Sequence, residues 1–449
     1  MVGAMDALTG ATTELLQTLI RNGCVNDGTP DSGGEGRNAD VLQHYLEGAG
    51  LDVARFERRA GRTSVVARIE GSDPDAPTLC LMGHTDVVPV NPDGWSRDPF
   101  GGELVDGEVW GRGAVDMLNV TASMAVAVKH LATSGFRPAG TLIYLGVADE
   151  EAGGQWGAEW LVDEHWDAVG ADYVLTEFGG WSTIGHDGRR SIVVNVAEKG
   201  MAWRRLRVTG TPGHGSMPYG SDNALVTAAE VVRRLGAFRP QPALDDLWQA
   251  QIDRLPLPDE LRAALLDPAR VTEAMAQLPV GLARLAHACS HTTISPNVIH
   301  GGQKTNTIPD VVDIDIDIRT LPGITQDTVD GYLAEALGDL AERVEVSHLE
   351  GNSESTRSGM GNPLWDALVA RTQVAYPDAD IVPGLITGGT DARYYRQRGA
   401  VAYGAALLSP DVSFADFGTR FHGNDERIDV DSLALTTELW TGVAEHLLA

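Results

Sequence analysis

The chain has 449 residues, 43% of them apolar and 22% charged, an ordinary composition for a globular protein but too long for one typical core. Two domains are therefore expected. The net charge of −29, from 34 basic and 63 acidic residues, argues against nucleic acid and anionic membranes as partners.

The opening MVGAMDALTGATTELLQTLI lacks a basic leader and a clean apolar core, so it reads as an amphipathic first helix and not as a signal peptide. Residues 1–197 then alternate strand-like with helix-like segments. Thr78 to Met82, Thr141 to Val147 and Tyr173 to Leu175 are short apolar runs, and Asn119 to Leu131 reads as a helix. This rhythm predicts an α/β domain built on a mostly parallel sheet. The texture changes near Glu198. MAWRRLRVTGTPG reads as strand and turn, Ala224 to Leu235 as a helix, and residues 258–289 as helical again. Val312 to Arg319 alternates strictly, with Ile314, Ile316 and Ile318 on one side and Asp313, Asp315, Asp317 and Arg319 on the other. Such a strand has one wet face, as antiparallel sheets do. A helix from Gln326 to Leu337 and a strand from Arg343 to His348 close this block. Residues 198–352 are thus expected to be an α+β insertion that divides a first domain into 1–197 and 353–449. No run approaches the ~18 apolar residues of a membrane-spanning helix. Cys24, Cys80 and Cys289 lie far apart with no CxxC spacing, which points to a reducing compartment and so to the cytoplasm.

Seven acidic and histidine residues carry the chemistry. They are His84 and Asp86 in LMGHTDVVPV, Asp116 in WGRGAVDML, Glu150 and Glu151 in GVADEEAGG, Glu177 in VLTEFGG and His422 in RFHGNDE. Those in the first block fall at strand ends or in the loops that follow, where open α/β sheets bind ligands. Each has a plain alternative. His84 and Asp86 can cap a turn, Asp116 can cap a helix, Asp149-Glu150-Glu151 can be a solvated loop, and a lone histidine is commonly structural. Taken together, two histidines and several carboxylates suit two divalent cations such as Zn²⁺, with a carboxylate left over as a general base. That combination predicts hydrolysis of an amide by a water held between two metals. Residues 84 and 86 share a face of an extended segment, so Asp86 can hydrogen-bond the His84 nitrogen turned away from the metal. His214 in TPGHGSMP stands apart, flanked by glycines in a loop of the insertion.

LMGHTDVVPV, GRGAVDM, DEEAGG and TPGHGSMP occur jointly and in order over nearly the whole chain. In this the sequence resembles the co-catalytic zinc aminoacylase and carboxypeptidase family. Its members include acetylornithine deacetylase, succinyl-diaminopimelate desuccinylase, aminoacylase, carboxypeptidase G and carboxypeptidase S types. The resemblance implies a phosphorylase/hydrolase-like catalytic domain with an inserted, ferredoxin-like α+β lid that often dimerises. It implies that His84, Asp116 and Glu177 hold one metal and that Asp116, Glu151 and His422 hold the other. Glu150 would be the general base and Asp86 the residue that orients His84. His214 would stabilise the oxyanion, typically reaching in from a partner subunit's lid. Arg319 would bind a substrate carboxylate, with Asn306 and the loop Gly388, Gly389, Thr390 and Asp391 completing the pocket. The metals implied are two divalent ions, Zn²⁺ first, with Co²⁺ or Mn²⁺ as options. The resemblance has two departures. Phe178-Gly179-Gly180 follows Glu177 where many members carry Glu-Pro, and GGTDARYY is shorter than the desuccinylase loop. The insertion also looks enlarged between about 236 and 290. Read without the resemblance, Arg319 would be a surface ion pair with Asp317. The first functional reading is a dipeptidase or carboxypeptidase acting on a small peptide. An N-acyl-amino-acid deacylase is the second, and a catalytically silent binding protein on the same fold the third.

Overall fold

The computed structural model describes residues 2–185, 187–412 and 414–449. Its larger sheet has ten strands. Leu142–Val147, Leu79–His84, Tyr173–Thr176 and Val401–Gly404 lie side by side in that order, all parallel. Leu79–His84 and Leu142–Val147 are buried along their whole length, which is why they read as unbroken apolar runs instead of alternating ones. The flanks differ from the parallel centre. Asp52–Arg59 and Arg62–Ile69 form a hairpin that adds antiparallel to Leu142–Val147. Its turn, Ala60-Gly61, is too short for a crossover and puts Gly61 at φ +84°, so only an antiparallel return fits. On the other side Arg190–Glu198 pairs antiparallel with Gly179–Ile184 and parallel with Asp380–Ile386. The sheet is therefore mixed, and its parallel character is confined to the centre and one further strand pair.

Three long helices pack together on one face, flanked by Gly36–Leu46 and Pro363–Ala375. Leu118–Ser134 packs against both Val2–Asn22 and the C-terminal helix Val430–Leu447. Trp440 is buried and its indole N–H donates to Ser123 Oγ at 2.9 Å, while Thr12 and Thr437 hydroxyls meet at 3.0 Å. The Leu118–Ser134 helix approaches the sheet closely at Gly83, where a Cβ would stand 2.5 Å from Thr121 Oγ1. That approach lets Thr121 Oγ1 donate to the His84 carbonyl at 2.7 Å and pins the end of the Leu79–His84 strand.

The second sheet has five antiparallel strands, with Val311–Thr320 between Arg204–Thr209 and Thr293–Gly301. Its alternation appears as expected. Val312, Ile314, Ile316 and Ile318 are buried under the helices Ala224–Ala237 and Gln326–Leu337. Each such side chain contributes roughly 1.5–3 kcal/mol by leaving water. On the wet face Arg205 and Arg207 make bidentate pairs with Asp315 and Asp313 at 2.7–2.8 Å. Residues 236–290, the stretch expected to enlarge this unit, are mainly helical. They form short helices, Asp246–Arg254, Asp259–Leu265, Val271–Met275 and Val280–Ser290, around their own core of Trp248, Ile252, Leu265 and Val271. Asp246–Arg254 leans on the Asp380–Ile386 strand of the larger sheet. Arg254 bonds Asp380 at 2.7 Å, and the buried Lys199 ammonium donates to the Ala288 and His291 carbonyls at 2.8 and 2.7 Å. Among the described residues no helix is long and apolar enough to cross a membrane.

Candidate active site

The parallel strands all point the same way, so their C-terminal ends bring chemistry to one edge. His84 is the last residue of its strand, Glu150 and Glu151 follow Leu142–Val147 by one turn, and Glu177 follows Thr176 directly. Asp116 arrives on the loop before the Leu118–Ser134 helix, and His422 on the loop before Arg427–Asp429. The residues that turn the chain here are held in the left-handed region. Asp149 has φ +74°, Phe178 +71° and His422 +55°. Side chains with a Cβ rarely adopt this conformation, and such positions gather at functional sites.

Two groups of ligand-type atoms result, each within 4.8 Å of one another. One is His84, Asp116 and Glu177; the other is Asp116, Glu151 and His422. His84 Nε2 stands 3.1 Å from Asp116 Oδ1 and 3.6 Å from Glu177 Oε2. His422 Nε2 stands 2.8 Å from Asp116 Oδ2 and 3.5 Å from Glu151 Oε2. Asp116 thus turns one carboxylate oxygen to each histidine. Glu150 lies beside both groups and belongs to neither, its Oε2 3.9 Å from His84 Nε2.

The electrostatics of the cluster are those of too many buried carboxylates. Burial, then the Asp116 charge, pushes Glu177 up to about 8. The same two causes push Glu151 up to about 7. Burial, then Glu177, raises Glu150 well above the usual carboxylate range. Burial works against a charged imidazole at His422, yet hydrogen bonds with Asp116 and Glu151 raise it to about 10. His84 is raised in the same way, with Glu177 and Asp116 outweighing burial. Glu151 Oε1 is buried without a hydrogen-bond partner. Four carboxylates and two imidazoles around so small a volume, one oxygen of them unsatisfied, suit positive charge at their centre. The residues present therefore fit a pair of divalent cations.

Asp86 acts differently from the sequence expectation. His84 Nδ1 meets the Asp86 main-chain carbonyl at 3.0 Å, whereas the Asp86 carboxylate stands off at 3.6 Å. That carboxylate instead accepts the Glu150 and Glu151 main-chain N–H groups at 3.3 and 3.1 Å and the Asn26 side-chain amide at 2.8 Å. Because extended residues 84 and 86 share a face, the carbonyl between turn and ring was as close to the imidazole as the side chain. Behind Asn26 lies the buried Arg62, which bonds Glu35 at 2.6 Å and the Asn26 side-chain oxygen at 3.2 Å. None of Asn26, Arg62 and Glu35 carries a motif that singles it out in the sequence.

A cavity of about 1090 Å³ opens over the two groups. Arg319, Gly388, Gly389 and Thr390 line it, together with Phe178, Met201, Trp203, Tyr394 and Phe421. Arg319 Nε donates to Asp317 Oδ1 at 2.7 Å, and its guanidinium lies 5.7 Å from the centre of the Trp203 ring. The ion pair with Asp317 and a place on the cavity wall thus coexist. Thr390 is buried, and its hydroxyl and N–H both donate to Glu198 Oε2, at 2.7 and 2.9 Å. It holds the loop instead of offering a free hydroxyl. Arg393, three residues on, donates to the Gly153 carbonyl at 2.8 Å and so ties this loop to the Glu150–Ala152 turn.

His214 and Asn306 are not on the cavity wall. His214 sits on the short pair Gly213–His214 with Thr307–Ile308, and Asn306 directly precedes Thr307, its carbonyl accepting the Gly215 N–H at 2.8 Å. Both are exposed, and His214 Nδ1 meets Ser216 Oγ at 2.8 Å.

The fold and the paired donor groups that share Asp116 define a metal-dependent hydrolase. The model for peptidase family M20/M25/M40 matches residues 80–446, and the chain belongs to that family. Among curated proteins it is 27% identical over 404 residues to the N-fatty-acyl-amino acid synthase/hydrolase PM20D1 of Xenopus tropicalis, covering 86% of this chain and 75% of that protein. It is 26% identical over 410 residues to aminoacylase-1 of Sus scrofa, covering 90% and 89%. Its fold is similar to that of the M20 metallo-carboxypeptidase Sso-CP2 from Sulfolobus solfataricus, with a TM-score of 0.71 and 17% identity over 97% of this chain and 99% of that one. The di-peptidase Dug1p from Saccharomyces cerevisiae gives a TM-score of 0.68 with 16% identity over 99% and 97%.

Proposed function

We propose that this chain cleaves the amide bond of a small peptide carrying a free carboxylate, as a dipeptidase or carboxypeptidase. The observation that carries this reading is Asp116 shared between two donor groups with Glu150 beside both. His84, Asp116 and Glu177 would hold one divalent ion, and Asp116, Glu151 and His422 the other. Mixed nitrogen and oxygen donors favour Zn²⁺, with Co²⁺ or Mn²⁺ as substitutes. Bound there, the ions supply Lewis acidity toward a carbonyl oxygen and toward water. Glu150 takes the proton of the attacking water on its carboxylate and delivers it to the leaving amine. Asp86 holds the Glu150–Glu151 turn in place through their main-chain N–H groups. Gly388 and Gly389 leave the cavity wall open to a substrate backbone.

Arg319 pairs with the substrate carboxylate in fork geometry, exchanging part of its bond to Asp317. Arg319→Met is expected to raise KM by about tenfold to a hundredfold for a substrate with a free carboxylate, the loss of one charge-assisted pair. It should leave the corresponding amide-capped substrate unchanged. Equal KM changes for both would assign Arg319 to the Asp317 ion pair alone.

A second reading, N-acyl-amino-acid deacylase, is favoured by the aromatic wall. Phe178 packs edge-to-face on Phe421 at 4.6 Å and on Trp181 at 5.6 Å, giving an apolar surface beside His422. The names of the two curated relatives given above, an N-fatty-acyl-amino acid synthase/hydrolase and an aminoacylase, agree with it. A panel of dipeptides against N-acetyl, N-succinyl and long-chain N-acyl amino acids, with Zn²⁺ or Co²⁺ added, separates the two. Hydrolysis of no amide by fully metal-loaded protein would overturn both and leave a binding protein.

We further infer that residues 198–352 act as a lid that dimerises and lends His214 and Asn306 to a second copy's site. Met217 and Tyr219 beside them are 71% and 102% exposed, an apolar surface that suits burial against another chain. His214 would then donate to the oxyanion, a contribution of roughly 3–4 kcal/mol for an aimed donor. Mixing inactive His214→Ala and Glu150→Ala subunits should restore part of the activity. Mixed dimers without recovered turnover would place His214 outside the chemistry. The three unpaired thiols support a reducing compartment such as the cytoplasm.

A further inference from the structure

We propose that Glu426 is a positioning residue that sets the distance between Asp116 and His422, and with it the affinity for the second cation. The proposal rests on the two-cation reading above. Glu426 is fully buried. Its Oε1 accepts three main-chain N–H groups, from Gly113 at 3.1 Å, Val115 at 2.7 Å and Asp116 at 3.0 Å. Its Oε2 accepts Arg112 Nη1 at 2.5 Å, and Arg112 Nη2 donates in turn to the His422 carbonyl at 3.3 Å. The Gly111 N–H closes the clamp on the Glu426 carbonyl at 2.9 Å.

These bonds join two loops that meet only through folding. One carries Asp116, the other His422. The His422 side chain is 45% exposed and its backbone is left-handed, so packing alone constrains it weakly. Asp425 holds its loop to Ser96, whose N–H and hydroxyl donate at 2.7 and 2.9 Å, and Glu426, four residues after His422, is the anchor that ties the loop to Asp116 itself. A carboxylate suits that anchor because one oxygen can serve the three N–H groups while the other takes the guanidinium. Hydrogen bonds to an ionised group are shorter and about twice as strong as neutral ones. An aspartate is one methylene too short to span both partners. A glutamine keeps the carbonyl oxygen for the main-chain cradle but turns an amide NH₂ toward Arg112, two donors facing each other.

The test is cation binding to the whole chain. Zn²⁺ affinity and stoichiometry are read by chelator competition for wild type, Glu426→Gln, Glu426→Ala and Arg112→Lys, and the Co²⁺-loaded proteins are compared by visible absorption. Wild type should take two ions. Glu426→Gln and Arg112→Lys should keep the first ion at wild-type affinity and bind the second about tenfold to a hundredfold more weakly, the usual cost of losing an outer partner of a ligand. Glu426→Ala should bind one ion, and its Co²⁺ spectrum should lose the second component. If Glu426→Ala fails to fold, the Gln and Lys variants still decide the matter. Two ions bound with wild-type affinity and spectra in these variants would overturn the role of Glu426 alone. Equal weakening of both ions together with a lowered Tm would reduce it to a general structural role. A wild-type chain taking fewer than two ions overturns the two-cation reading and the Glu426 role with it.

Discussion

Glu150→Gln is expected to lower kcat by about 10²–10⁴-fold, the range that a positioned general acid–base contributes, while both cations stay bound. One observation separates Glu150 from the neighbouring carboxylates, and two more suit it to the role. It stands outside both donor groups, so its loss leaves the ligand atoms in place. Its Oε2 nevertheless lies 3.9 Å from His84 Nε2, within reach of anything held between the groups. Burial and the Glu177 charge raise its proton affinity, which suits a group that accepts a proton and returns it. Glutamine has nearly the same shape and keeps the turn, since it is main-chain N–H groups that donate to Asp86. Metal content measured alongside turnover makes the result specific. A variant that keeps two ions and turns over within a few-fold of wild type would remove Glu150 from the chemistry.

Asp116→Ala is expected to be the most damaging single change among the ligand-type residues. Each of the others serves one group, but Asp116 serves both, one oxygen toward His84 and one toward His422. Removing it leaves each group one histidine and one carboxylate. The expected results are a fall in bound ions from two to one or none and activity below detection. Glu177→Ala should cost only the ion on the His84 side. Asp116→Ala retaining two ions would mean that the groups do not share this carboxylate.

The legibility of the site in the sequence follows from local geometry. His84, Glu150, Glu151 and Glu177 end or follow short apolar runs, and a parallel sheet gathers such ends at one edge whatever their separation in the chain. The alternation from Val312 to Arg319 was equally readable, because a half-buried strand writes its two faces into every second residue. Other features depend on partners that no local pattern names. Glu426 was visible only as the end of RFHGNDE; its importance comes from three N–H groups on a loop around residue 114. The first strand of the hairpin, Asp52–Arg59, carries five charged residues in eight and blends into its surroundings, which hides the antiparallel flank of the sheet. Residues 236–290 have helical texture, but nothing in their periodicity says which of two sheets they lean on. For Asp86, side chain and main chain were equally placed to meet His84, and the deciding contacts came from the Glu150–Glu151 turn.

The C-terminal helix, clasped between Val2–Asn22 and Leu118–Ser134, has a consequence for biosynthesis. His422 and Glu426 lie about 300 residues downstream of Asp116, so they join the site after its earlier donors have been made. A chain growing from the ribosome, at about 5–20 residues per second, therefore spends most of its synthesis with His84, Asp116 and Glu177 already made and their counterpart missing. Any cation caught by the nascent chain would meet half a site. The donor group that contains His422 is therefore completed later in synthesis than the one formed by His84, Asp116 and Glu177.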